Sequence, residues 1–339
     1  MRYVNDHLTR RVFKFEGLSD LSDMSEKGDY SLSYDLTSGY YHVALHPLSR
    51  RFVGFQWKGV YYQYNCLPFG LSTSPWVSSK IIRELDMYWR GKGINILPYL
   101  DDLLFLICGY EVGIKLARIV EEDMRLAGLS INWVKSDNIP LQERVHLGFL
   151  VNLAEGLFKV PITRWESLHK DIAFILNSQN GRVQARKLAS LVGTIMSMKM
   201  AWGPVTQLYT RNLYHTINDV VSLNCWVSVS DEALNELLFW KDLPRLRFDS
   251  EIWPLASAIS IKVATDASDI GWGGHTINGP SFIAHEYFTL WESMQSSTYR
   301  ELLGVTRCLQ SLIAQCKGKF VVLQTDAMNL LGIVDRGSS

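Results

Sequence analysis

Leu97-Pro98-Tyr99-Leu100-Asp101-Asp102-Leu103-Leu104-Phe105-Leu106 sets two adjacent carboxylates between apolar runs. The pattern reads as two short buried strands joined by an acidic turn. A buried carboxylate pair is strongly unfavourable unless something cationic sits against it. A divalent metal is the simplest such partner. The rest of the chain can therefore be searched for a third carboxylate, a nucleotide pocket and a path for a polyanion.

A second apolar stretch, Ser31 to Leu36, also reads as a strand and carries Asp35 near its end. Ser38-Gly39 turns the chain, and an apolar stretch follows from Tyr40 to Leu45. Arg51 to Tyr64 reads as a hairpin around Lys58-Gly59, rich in aromatic and β-branched residues. Ser74-Pro75 opens a helix that runs to about Arg90, since proline suits the first helical turn. Glu111 to Ala127 has Ile114, Leu116, Ile119, Val120 and Met124 at helical spacing, and Gly128 stops it. Leu129 to Trp133 and Val145 to Leu153 read as strands. These elements predict an antiparallel sheet packed by two helices, within a chain of α/β (α+β) class.

With 339 residues the chain has room for two or three domains, and 47% apolar content is ample for their cores. Lys plus Arg and Asp plus Glu both number 34, which argues against a surface coated in nucleic acid and leaves room for local basic patches. The five cysteines (Cys66, Cys108, Cys225, Cys308, Cys316) are scattered without metal-ligand spacing, as expected of reduced thiols in an intracellular protein, cytoplasmic or nuclear. The N-terminus is polar, and no apolar run is long enough to cross a bilayer, so no membrane partner is expected.

Beyond a boundary near Gly156 to Pro161, residues 161–215 are helical in pattern. From Gly181 to His215 the charged residues are Arg182, Arg186, Lys187, Lys199 and Arg211, with no acid among them. That stretch suits a helix lying along nucleic-acid phosphates, and equally an ordinary helix with a solvated basic face. A connector with a helix at Asp231 to Trp240 follows. The last segment reads as a strand at Ile261 to Ala267, a Gly-rich stretch at Gly271 to His275, a strand at Ser281 to Tyr287, a helix at Thr298 to Ala314 and a strand at Lys319 to Thr325.

Two apolar strands carrying carboxylates at their ends are what two-metal phosphoryl transfer needs, because the ligands must converge on ions about 3.5–4 Å apart. Hard magnesium prefers oxygen donors and retains water and phosphate in its shell. A lone aspartate in a turn is otherwise an ordinary turn residue.

The motifs resemble those of retroelement reverse transcriptases. Asp35-Leu36-Thr37-Ser38-Gly39-Tyr40-Tyr41-His42-Val43 resembles the first acidic motif, and Leu67-Pro68-Phe69-Gly70-Leu71-Ser72-Thr73-Ser74-Pro75 the nucleotide-pocket loop. Tyr99-Leu100-Asp101-Asp102 resembles the catalytic box. Gly128 to Ser136 resembles the next motif, and His146-Leu147-Gly148-Phe149-Leu150-Val151 the primer-grip motif. The five fall in the family's order. The wording around Trp57-Lys58-Gly59 and Leu67 to Ser72 resembles DIRS-like retrotransposons most, with gypsy-like elements and pararetroviruses next.

The resemblance implies an RNA-directed DNA polymerase with a right-hand palm and helical thumb. Asp35 and Asp101 would hold two Mg2+ (or Mn2+) ions, with Asp102 beside them. Tyr40 would be the steric gate against ribose, and Phe69 and Gly70 would line the dNTP pocket. Lys135 would protonate the leaving pyrophosphate, although a solvated surface lysine fits that position too. Gly148, Arg182, Arg186 and Lys187 would contact an RNA or DNA template with its primer.

The last segment resembles a ribonuclease H domain. Asp266 in Ile261 to Ser268, Glu301 in Tyr299-Arg300-Glu301-Leu302-Leu303 and Asp326 in Leu323 to Ala327 match its metal-binding acids. The match implies a second metal centre of Asp266, Glu301 and Asp326 that hydrolyses RNA. Two departures stand out. The basic residues that grip the triphosphate in the family would lie upstream of Met1. The fourth nuclease acid and its nearby histidine would lie beyond Ser339, and Asp335 is no substitute. The expectation is therefore an internal piece of a polyprotein: 1–155 partial fingers and palm, 156–215 thumb, 216–256 connection, 257–339 partial, mixed-sheet ribonuclease H. The alternative is an inactive relic that at most binds nucleic acid. Oligomeric state is left open.

Overall fold

The computed structural model describes residues 1–9, 11–178, 182–242, 249–253, 260–278, 280–317 and 319–336. Gly181 and the expected boundary at 256/257 lie outside them. The chain divides into two compact units, one of residues 1–165 with 249–252, the other of the described residues in 166–248 and 253–336.

The first unit contains β1 (Tyr30–Asp35), β2 (Gly54–Trp57), β3 (Val60–Gln63), β4 (Asn95–Tyr99), β5 (Asp102–Ile107), β6 (Asp137–Leu141), β7 (Glu143–His146), β8 (Phe149–Asn152) and β9 (Leu157–Lys159). Its central sheet has the order β4-β5-β1-β6 and is antiparallel. β5 is apolar from Leu103 to Ile107 and buried throughout, because both of its neighbours are strands and helices cover the sheet. The helices Ser74–Gly91 and Tyr110–Leu126 supply Ile82, Trp89, Leu116, Val120 and Met124 to a core that also holds Leu32, Tyr34 and Phe105. Trp89 and Tyr34 each meet the Phe105 ring edge-on, at centroid distances of 5.1 and 5.8 Å.

Each edge strand of this sheet contains a proline, Pro98 in β4 and Pro140 in β6. Pro140 also explains Gly113 in the helix Tyr110–Leu126. A Cβ on Gly113 would fall 2.5 Å from Pro140 Cγ, so only glycine lets this helix lie so close to the sheet edge.

Several sequence expectations change in detail. Leu129 to Trp133 is no strand and makes only an isolated bridge, Leu36 to Ile131. The fourth strand is β6 instead, whose Asp-Asn-Ile-Pro-Leu sequence lacks the alternation that marks a half-buried strand. Val145 to Leu153 is not one strand. It breaks at Leu147-Gly148, where φ is 47° and 81°, and pairs with itself as the β7–β8 hairpin. Positive φ at both turn residues matches the twist of flanking strands. The acidic turn is Leu100-Asp101, and Asp102 already belongs to β5.

The second unit carries the helices Ala185–Met196, Arg211–Asn218 and Asp231–Asp242, with β10 (Arg182–Gln184) paired to β11 (Trp226–Ser228) where only helix or connector was expected. A short β12 (Ser250–Glu251) returns to β9 in the first unit. β13 (Ser260–Ala267), β14 (Gly271–Thr276), β15 (Ile283–Tyr287) and β16 (Phe320–Gln324) form a mixed sheet of order β15-β14-β13-β16, with β13 and β16 parallel. The Gly-rich stretch is thus strand β14. The helix Ser297–Ser311 packs on this sheet and ends earlier than its pattern implied, a separate turn of helix spanning Ile313–Cys316. The position of Asp335 falls in the helix Met328–Arg336.

Candidate functional site

Antiparallel pairing of β1 with β5 places Asp35 opposite Asp102. Asp101 precedes β5 in a turn whose Leu100 has φ 55°, a left-handed conformation unusual for leucine. The turn is fixed by the Leu36 amide, which donates to the Asp101 carbonyl at 2.9 Å. Backbone register, not side-chain reach, therefore brings Asp35, Asp101 and Asp102 to one end of the sheet.

Burial raises the Asp101 carboxyl above its ordinary range, and the charge of Asp35 raises it further. Burial also raises Asp102, followed by the charges of Asp35 and Asp101 and a hydrogen bond with Asp35. Carboxylates that oppose one another's ionisation favour a bound proton or cation. An all-oxygen donor set of this kind fits a hard divalent ion.

Asp35 has its own scaffold. Asn132 Nδ2 donates to Oδ1 at 2.9 Å, and Lys135 Nζ stands 3.7 Å from Oδ2. The Asp35 amide donates to Ser136 Oγ at 2.9 Å, and the Asn132 amide donates to the Asp35 carbonyl at 2.8 Å. Lys135 is thus beside the carboxylates, with an exposed side chain. Sequence reading assigns no role to Asn132 or Ser136. They fall in the segment quoted around Lys135, but contacts across about a hundred residues leave no local mark.

Tyr40 lies buried in the short 3-10 turn Gly39–His42. A Cβ on Gly39 would touch Asp101 Cγ at 3.5 Å, so this turn packs against the carboxylate. Burial, then the charge of Asp101, pushes the Tyr40 phenol up. The Tyr40 and Phe69 rings are 4.9 Å apart, and Phe69 is exposed. Gly70 has φ 83° and is held by Asn5, whose Nδ2 donates to the Gly70 carbonyl while Oδ1 accepts from the Ser72 amide. Asn5 is a third residue to which sequence reading assigned no role. Tyr40, Phe69 and the carboxylates are brought together. Gly148 sits in the β7–β8 turn, where Arg164 donates to its carbonyl at 2.7 Å.

In the second unit Arg182 is exposed on β10. Arg186 donates to Asn224 Oδ1 at 2.9 Å, and Lys187 Nζ lies 5.5 Å from the Phe174 ring centroid. Two of these three cations therefore have partners within the fold while remaining exposed.

Asp266, Glu301 and Asp326 form a second cluster. β13 and β16 run parallel with Ala264 opposite Gln324, so Asp266 and Asp326 follow two residues later on each chain segment. Glu301 comes from the helix Ser297–Ser311, which lies close to the sheet at Gly304, where a Cβ would fall 2.9 Å from Trp272 Cβ. One carboxylate oxygen of each residue lies within 4.8 Å of the others. Among the described residues no other three His, Cys, Asp or Glu side chains close to that distance, so Asp35, Asp101 and Asp102 adjoin more loosely. Glu301 Oε2 is buried without a hydrogen-bond partner, and burial, then the charges of Asp266 and Asp326, raises its carboxyl. An orphaned buried oxygen facing two carboxylates fits a divalent cation. No helix among the described residues is long and apolar enough to cross a membrane.

Residues 2–151 match the family model for reverse transcriptase (RNA-dependent DNA polymerase), a family whose members use divalent metals. The Retrovirus-related Pol polyprotein from transposon opus of Drosophila melanogaster is 25% identical over 230 residues, 66% of this chain and 21% of that protein. The foamy viral protease-reverse transcriptase dRH in complex with double-stranded DNA superposes with a TM-score of 0.64 at 18% identity, covering 98% of this chain and 56% of that one. The foamy viral protease-reverse transcriptase in complex with RNA/DNA hybrid gives the same TM-score of 0.64 and 18% identity, covering 99% of this chain and 44% of that one. These structural likenesses establish a shared fold. The chain spans about a fifth or less of the length of the curated relatives it matches.

Proposed function

We propose that this chain, whose residues 2–151 belong to the reverse transcriptase family, is a retroelement RNA-directed DNA polymerase. It adds a deoxynucleotide to a primer 3′-hydroxyl on an RNA or DNA template. The observation that carries this reading is the register that sets Asp35 opposite Asp102, with Asp101 in the adjoining turn. The motif wording at Trp57-Lys58-Gly59 and Leu67 to Ser72 supports a DIRS-like element. By segments, we assign 1–155 to fingers and palm, 156–215 to the thumb, 216–256 to the connection and 257–339 to a ribonuclease H-like domain.

In the reaction the hydroxyl oxygen attacks the α-phosphate of the dNTP, a new P–O bond forms, and the bond to pyrophosphate breaks. Two Mg2+ or Mn2+ ions held by Asp35 and Asp101, with Asp102 beside them, would supply activation of the hydroxyl and charge stabilisation on the phosphoryl oxygens. Asn132 orients the Asp35 carboxylate. Lys135 donates a proton to the departing pyrophosphate. The buried Tyr40 ring occupies the space a ribose 2′-hydroxyl would need, and Phe69 and Gly70 line the base and sugar side, with Asn5 fixing the loop. Arg182, Arg186 and Lys187 contact backbone phosphates without reading sequence, and the Gly148 turn supports the primer end. The compartment is intracellular, cytoplasmic or nuclear, where template and dNTP are available.

The convergence of Asp266, Glu301 and Asp326 favours a second metal centre of ribonuclease H type, for which weak or no cleavage of the RNA strand of a hybrid is expected. Primer extension on an RNA template with Mg2+ and dNTPs tests the first reading. The wild-type chain extends and Asp101→Asn does not. Extension by Asp101→Asn would refute the metal role, and no extension by the wild type would favour a nucleic-acid-binding relic.

A further inference from the structure

The β2–β3 hairpin has no evident part in the chemistry above. All eight of its strand residues are exposed, so it packs as a two-stranded ribbon without a covering layer. Such ribbons are marginal alone, and this one spends its side chains on solvent. Its register pairs Phe55 with Tyr62 and Trp57 with Val60. Directly paired residues share a face, as do residues two apart on one strand. Phe55, Trp57, Val60 and Tyr62 therefore form one continuous apolar face. Phe55 and Tyr62 stack at 5.5 Å with 20° between their planes, and the Tyr64 ring continues the row 5.1 Å from Phe55. Relative exposure is 45% for Phe55, 63% for Trp57 and 47% for Tyr62.

The charge around this face has one sign. Residues 36–83 contain no acid, and the cations at the hairpin are Arg50, whose Nε donates to the Leu45 carbonyl at its base, Arg51 and Lys58. Lys58 occupies the hairpin turn, and the Arg51 guanidinium lies 4.8 Å from the Phe52 ring centroid. The base of the hairpin connects to the nucleotide-pocket segments. The Leu45 amide donates to the Asn65 carbonyl, and the Leu67 amide donates to the Val43 carbonyl, between Tyr40 on one side and Phe69 on the other.

We propose that this hairpin is a stacking platform for unpaired nucleic acid, taking the bases of the single-stranded template next to the nucleotide pocket. Bases stack on aromatic rings whatever their sequence, and the cations meet the phosphates. The charge argument selects this occupant over a second copy of the chain, since two identical basic hairpins would repel. The proposal rests on the template-dependent reading above and extends it to a surface outside the carboxylate cluster.

The test compares two DNA duplexes of equal length, one blunt and one with a 5′ single-stranded extension, by fluorescence anisotropy with the full chain. Wild type should bind the extended duplex about tenfold more tightly, the value expected of one or two stacked bases. Trp57→Ala and Tyr62→Ala should each lose most of that preference with blunt-end affinity unchanged, and Tyr62→Phe should keep it. These side chains are exposed, and an unchanged melting curve checks the fold. Equal affinity of wild type for both duplexes, or a preference that survives Trp57→Ala, overturns the proposal. So does a concentration-dependent dimer in sedimentation that Trp57→Ala dissociates while the preference remains. Primer extension measured in parallel separates the two readings: a Trp57-dependent preference without extension keeps the platform and removes the polymerase.

Discussion

The two carboxylate clusters solve the same electrostatic problem by different construction. Asp35, Asp101 and Asp102 come from adjacent strands of one hairpin-linked sheet, and backbone pairing positions them. A protein cation, Lys135, already stands 3.7 Å from one of them. Asp266, Glu301 and Asp326 come from two parallel strand ends and a helix, and they close to within 4.8 Å with a buried oxygen left unpaired. The first cluster is pre-positioned and partly neutralised by the chain. The second depends on tertiary packing of the helix at Gly304 and has more to gain from a cation.

If the clusters are independent, one substitution should silence one activity only. Asp266→Asn is expected to remove whatever weak hybrid cleavage the wild type shows, with primer extension intact. Asp101→Asn should do the reverse. Loss of both activities in either variant, measured on the same preparation, would break the comparison.

Acid should weaken the first unit through one buried histidine. His146 is buried in β7, and burial, then the neighbouring charge of Arg144, pushes it down to about 4 from 6.5. The unfolded chain then binds the proton more readily than the folded one. Stability is expected to fall as pH drops from about 6.5 to about 4, by roughly 3 kcal/mol in total. His146→Gln should flatten that dependence in chemical-denaturation curves. A slope that persists assigns it to other groups.

Lys135→Ala sharpens the difference in built-in charge. It should slow single-turnover extension by about a hundredfold, as loss of a general acid does, and leave hydrolysis at the second cluster unchanged. An unaltered rate would make Lys135 a solvated surface lysine. The smallest effect is expected at Tyr40. Tyr40→Ala should raise ribonucleotide incorporation relative to dNTP by about tenfold, the scale at which a pocket discriminates one small group. Unchanged selectivity in competition assays would remove Tyr40 as the gate.

The sequence carried the elements that bury continuous apolar runs or follow helical spacing: β1, β4, β5 and the helices Ser74–Gly91 and Tyr110–Leu126. It also pointed to the carboxylates, because an adjacent pair flanked on both sides by buried apolar runs calls for a cation. It did not carry β6, an edge strand held by pairing with β1 and by the Gly113–Pro140 contact instead of by its own alternation. The break at Leu147-Gly148 was hidden because apolar residues flank it on both sides. Asn132, Ser136 and Asn5 were invisible for another reason. Each acts through a hydrogen bond to a partner more than sixty residues away.

The prolines in β4 and β6 have a consequence outside catalysis. An edge strand offers a row of amide donors to any extended peptide that drifts past. Proline has no amide hydrogen, so Pro98 and Pro140 each leave a gap in that row. Both free margins of the central sheet are thus poor templates for strand addition, and neighbouring copies are kept from polymerising through it.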